Sequence, residues 1–104
     1  MLSVKRDIGK KFESCAAKFL RGQGCRIVAK NFQCRNGEID LIVTDESCLV
    51  FVEVKYRSNE QFGLAAEMVT TAKQQKLIRS AQYFLQNHNK YSLLDARFDV
   101  IGIT

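Results

Sequence analysis

Proline is absent from this 104-residue chain, so no proline-rich linker or tail divides it. There is a single histidine, His88, and the four cysteines, Cys15, Cys25, Cys34 and Cys48, form no CxxC pair. Structural zinc sites draw on closely spaced ligand pairs, so zinc is not expected. With no secretory leader in view, the cysteines read as reduced thiols packed as small hydrophobes. The longest apolar stretch, residues 48–52, falls far short of the roughly 20 residues a membrane helix needs. No signal peptide opens the chain, and there is neither an internal repeat nor a low-complexity segment. The expectation is a cytoplasmic protein without a membrane partner. Residues 1–104 should form one domain, large enough to bury a core without staples.

What is present is ordinary globular composition, 46% hydrophobic, and an excess of cationic side chains giving a formal net charge of +5. Such a balance attracts polyanions at long range. Against that background the stretch GEIDLIVTDESCLVFVEVKYR, residues 37–57, is unusual. Glu38 and Asp40 interrupt one apolar run, and Glu53 and Lys55 interrupt the next. A basic chain that gathers carboxylates in one place is expected to use them there.

The coarse pattern places these charges. Ile8, Phe12, Cys15, Ala16, Phe19 and Leu20 recur at helical spacing, with Glu13 on the flank of that stripe. Residues 25–33, 38–44 and 49–57 read as strands, with RNG at 35–37 as a turn. Thr70 can cap a second helix carrying Leu77, Ile78, Ala81, Phe84 and Leu85 on one side, and RFDVIGIT closes the chain as a last strand. The order α-β-β-β-α-β indicates the α/β class, a central mixed sheet flanked by helices. Side chains alternate along a strand, so Glu38, Asp40 and Ile42 share one face, and Leu49, Phe51, Glu53 and Lys55 share one face. An even-numbered hairpin loop makes these the same face. The simplest register then pairs Thr44 with Leu49, Ile42 with Phe51, Asp40 with Glu53, and Glu38 with Lys55. Two carboxylates held opposite each other repel and call for a compensating cation. Lys55 supplies one positive charge; Mg²⁺, which favours one or two carboxylates plus phosphate oxygens, answers the need better. Glu13 could add a further oxygen.

GEID, followed by Glu53 in VEVK, resembles the active-site pattern of the PD-(D/E)xK nuclease superfamily. More closely, GEIDLI…LVFVEVKYR, Lys73 and RFDVIGI resemble the YraN-type family of uncharacterised, endonuclease-like proteins. The resemblance runs from Gly9 to Ile103. It implies a restriction-endonuclease-like core and hydrolysis of DNA phosphodiesters, including branched or structured DNA, with Mg²⁺ or Mn²⁺. By that resemblance Asp40 and Glu53 are the metal ligands, with Glu13 completing the site. Lys55 positions or activates the attacking water and stabilises developing charge. Phe12 stands where the family usually has a glycine before the glutamate.

Around this centre Arg35 and Arg57 lie at strand ends and Lys73 flanks the second helix's stripe, where each is placed to contact nucleic-acid phosphates without reading sequence. Lys76 and Arg79 read as an ordinary solvated face, Tyr56 as packing, and Glu38 as an ion-pair partner of Lys55. Taken singly, each of Asp40, Glu53 and Lys55 would read as structural; together, inside apolar strands, they read as a site. Two other functions compete with a nuclease: a non-catalytic nucleic-acid-binding module, and a protein-interaction domain whose acidic hairpin meets a basic partner. A homodimer would supply the two sites needed to cut two strands symmetrically.

Overall fold

The computed structural model describes residues 3–56 and 70–103. Helix α1 (Ser3–Gly22) is followed by strands β1 (Arg26–Cys34), β2 (Gly37–Asp45) and β3 (Cys48–Tyr56). Helix α2 (Thr71–Asn87), a short 3-10 turn (Asn89–Tyr91) and strand β4 (Asp95–Ile103) complete the chain. The strands form one four-stranded sheet in the order β1-β2-β3-β4. The first three run antiparallel, and β4 lies parallel to β3. Parallel neighbours need a long crossover, which is where α2 sits. The mixed sheet with helices α1 and α2 is the architecture expected from the order of elements.

Alternation along β2 and β3 sorts the core into two layers. Leu41, Val43, Val50 and Val52 pack with Ala16 and Ala17 of α1, while Ile42, Leu49 and Phe51 pack with Leu77, Ala81 and Phe84 of α2. Because β3 is covered on both faces, its sequence reads as a nearly unbroken apolar run. Phe84 anchors the α2 layer, edge-on to Phe32 and Phe51 and stacked on His88. The His88 ring sits against the Phe84 carbonyl, its Nδ1 at 2.8 Å, and serves as the C-terminal cap of α2. At the other end the Thr70 hydroxyl accepts from the Lys73 backbone N–H at 3.2 Å, the N-cap the sequence suggested.

Helix α1 differs from its sequence reading. Among its described side chains the buried ones are Ala16 and Ala17, with Leu20 partly buried, whereas Cys15 and Phe19 are exposed; the side chain of Ile8 lies outside those described. The face toward the sheet therefore centres on Ala16 and Ala17, because two small side chains let the helix approach more closely than a ring would. Glu13, one turn earlier, lies on that inner side rather than on a solvated flank. The helix ends through Gly24 in the left-handed region (φ 92). There the Cys25 N–H reaches the Leu20 carbonyl and the Gly24 N–H the Arg21 carbonyl, a Schellman ending that favours glycine. Ile78, placed by periodicity on the inner face of α2, is 45% exposed.

The hairpin register holds where the strands are apolar and changes at the acidic residues. Thr44 faces Leu49 and Ile42 faces Phe51 across a two-residue turn, but the β2–β3 pairing ends at Leu41 and Val52. On the other side, Lys30–Leu41 and Phe32–Ile39 are paired while Asn31 and Asp40 between them are not. Asn31 sits at φ 51. The irregularity shows in the packing: Ile39 and Ile42, three residues apart, both belong to the α2 layer, which strict alternation forbids. Asp40 thus stands where β2 leaves β3 and misses one pair with β1.

Candidate active site

Asp40 replaces a missing ladder bond with its own side chain. The Val54 backbone N–H donates to Asp40 Oδ2 at 2.8 Å, holding the carboxyl in the gap between β2 and β3. From there it meets three other acids. One oxygen from each of Glu13, Glu38 and Asp40 lies within 4.8 Å of the others, and Asp40 is within hydrogen-bonding reach of Glu53. Burial, reinforced by the charges of Glu53 and Glu13 and opposed by the Val54 N–H, pushes the Asp40 carboxyl up to about 7. Burial also raises Glu13 above its usual range, partly offset by hydrogen bonds from Asn31 and Asp40. Crowded, partly desolvated carboxyls resist ionising together, so at neutral pH Asp40 is the natural holder of a shared proton.

Glu53, 5% exposed, is occupied by cations instead. Lys73 Nζ lies 3.1 Å and Lys55 Nζ 3.5 Å from its Oε2. Lys55 is mostly buried and Lys73 about half exposed. The two lysines bridge from β3 and the first turn of α2 and fix that helix end over the site. Beside this cluster opens a cleft of about 570 Å³, bordered by Arg35, Glu38, Asp40, Lys73 and Lys76. Its lining sets three cationic side chains, Arg35, Lys73 and Lys76, beside the carboxyls of Glu38 and Asp40.

The residues expected from the sequence are distributed as follows. Glu13, Asp40, Glu53, Lys55 and Lys73 converge at one place, and Arg35 borders the cleft. Arg57 lies outside the described residues. Glu38 joins Glu13 and Asp40 instead of pairing with Lys55, whose ion pair among the described residues is with Glu53. Tyr56 stacks on Phe12 with ring centroids 4.1 Å apart, as packing would have it. That contact ties α1 to β3 one residue from Glu13.

A family model matches residues 12–103: the uncharacterised protein family UPF0102. The chain belongs to this family. It is similar to the UPF0102 protein of Vibrio parahaemolyticus, 50% identical over 102 residues, covering 98% of this chain and 84% of that one. The UPF0102 protein of Alcanivorax borkumensis is 46% identical over 103 residues, covering 99% and 82%. That of Coxiella burnetii is 42% identical over 104 residues, covering 100% and 87%. No described helix of this UPF0102 member is long and apolar enough to cross a membrane.

Two contributors escaped sequence reasoning. Lys76 is exposed, as on a solvated face, and also borders the cleft. Asn31 carries no charge and sits inside a strand pattern. Its one signal is an asparagine, tolerant of the left-handed region, amid residues that favour strands.

Proposed function

We propose that this chain is a divalent-metal-dependent endonuclease that hydrolyses DNA phosphodiester bonds, with branched or structured DNA as the expected substrate. The observation that carries the reading is the convergence of Glu13, Glu38 and Asp40 within 4.8 Å beside a cleft rimmed by Arg35, Lys73 and Lys76. The donor set fits a hard cation such as Mg²⁺ or Mn²⁺: all are carboxylate oxygens, and the local lysines pair with Glu53 rather than neutralising the triad. Glu13, Glu38 and Asp40 would hold the ion, with Glu53 adjacent to Asp40. When bound, the cation supplies Lewis-acid polarisation of the phosphate and acidifies water. Lys55, held by Glu53, offers a positive charge where negative charge develops during phosphate attack. Lys73, Lys76 and Arg35 hold the backbone by phosphate contacts that are indifferent to sequence.

One observation favours a second reading. Glu53 already has two cationic partners, an arrangement stable without turnover, as a non-catalytic nucleic-acid-binding module would have. The two separate in a cleavage screen over single-stranded, duplex, flap and four-way-junction DNA with Mg²⁺ or Mn²⁺. Wild type should cut at least one structure. Lys55→Ala should keep its DNA affinity while the single-turnover rate falls by roughly 10²–10³-fold, the scale for loss of one electrostatic stabiliser. Binding without cleavage of any substrate would favour the module, and cleavage by Lys55→Ala at the wild-type rate would remove Lys55 from the chemistry.

A further inference from the structure

We propose that Asn31 is a positioning residue, which holds the Glu13 carboxylate in the acidic site and opens the ladder opposite Asp40. The proposal rests on the metal-dependent reading for its consequence, but its geometry stands apart from it. Asn31 is neither at a turn nor at a strand end. The pairs Lys30–Leu41 and Phe32–Ile39 on either side of it keep one continuous register. At Asn31 alone the backbone turns to φ 51, a conformation most side chains avoid and asparagine tolerates. The residue is exposed, so core packing does not impose this conformation.

Two things follow from it. The pair Asn31–Asp40 is lost from the ladder, freeing the Asp40 position to turn its carboxyl to the Val54 N–H. The Asn31 side chain lies within hydrogen-bonding reach of Glu13 across from α1, on the side where an amide N–H donates to a carboxylate. That contact sets one acid of a cluster whose members come from different elements, Glu13 from the helix and Glu38 and Asp40 from β2. Residues that orient metal-ligating groups in this way typically change metal affinity by 10–100-fold when lost.

Asn31→Gly keeps access to the left-handed region and removes the amide, so backbone and side-chain roles separate. Mn²⁺ titration by calorimetry on the full chain should show affinity about 10-fold below wild type. In the Glu13→Ala background, which leaves the Asn31 amide no acceptor at that position, the same substitution should have no further effect, which a merely structural role would not produce. Wild-type Mn²⁺ affinity in Asn31→Gly, or an undiminished loss in the Glu13→Ala background, would overturn the proposal. If wild type itself binds no Mn²⁺, the metal-dependent reading fails, and Asn31 is judged on metal-free protein by urea unfolding of wild type, both single variants and the double variant. Non-additive unfolding energies support the Asn31–Glu13 link; additive ones refute it.

Discussion

Binding of a divalent ion should expel a proton from Asp40, and the number expelled should depend steeply on pH. Burial and the neighbouring charges of Glu53 and Glu13 push this carboxyl up to about 7. A group with that midpoint is ~90% protonated at pH 6 and ~10% at pH 8. A cation coordinated by Asp40 requires the ionised form, so binding should release ~0.9 proton at pH 6 and ~0.1 at pH 8. Apparent affinity should fall about 10-fold per pH unit below 7 for the same reason. The assay is Mn²⁺ calorimetry at each pH in two buffers of different ionisation enthalpy, where the difference in heat counts protons. Because Glu13 titrates with Asp40, the count belongs to the cluster, so Asp40→Asn is the control. That variant still presents an acceptor to the Val54 N–H but has no proton to lose, and its heats at pH 6 should become nearly buffer-independent. Equal heats in both buffers for wild type at pH 6, with saturable binding, would refute the assignment of Asp40 as a ligand.

Metal-free stability should increase on acidification through the same group. A carboxyl raised above its unfolded value contributes stability that is fully present below pH ~4 and is lost as pH rises through about 7. From pH 8 to 5 the gain should be roughly 1–2 kcal/mol after discounting for partial solvent exposure; urea unfolding should show it in wild type and not in Asp40→Asn. Ser80 is fully buried, and its hydroxyl has no hydrogen-bond partner among the described residues. Ser80→Ala should therefore stabilise the fold by about 1 kcal/mol, and a lower unfolding midpoint would contradict this. Lys73→Met should weaken DNA binding and reduce the slope of log affinity against log salt by about 0.9, the loss of one phosphate contact; an unchanged slope in fluorescence anisotropy would assign Lys73 solely to Glu53.

The acidic cluster also explains why the fold tolerates an imperfect sheet at its centre. A regular β2–β3 ladder would continue through Asp40 and set its carboxylate directly opposite that of Glu53. The observed break instead spends one side-chain hydrogen bond on Val54 and leaves Asp40 facing Glu13 and Glu38. The cost is partly returned by Lys55 and Lys73 at Glu53, which neutralise one carboxylate and leave the others free for a ligand of opposite charge.

Sequence alone determined the order of elements, because it follows from local hydrophobic period and turn chemistry. The registers Thr44–Leu49 and Ile42–Phe51 followed only on the assumption of an even-numbered loop, which the structure supplies as a two-residue turn. Sequence also singled out Asp40, Glu53 and Lys55, since charges inside apolar strands cost free energy and so stand out, and Glu13 and Lys73 from their places beside the helices' apolar stripes and from the family resemblance. Tertiary structure decided which acids meet. Glu38 joins Glu13 and Asp40 rather than Lys55, because the β2–β3 pairing ends at Leu41–Val52 and does not hold Glu38 opposite Lys55. The inner face of α1 was likewise settled by packing: Ala16 and Ala17 let the helix close on the sheet and Phe19 does not. Apolar pattern reports which residues avoid water, whereas the depth of a helix and the end of a ladder depend on the shapes of partners far away in the chain.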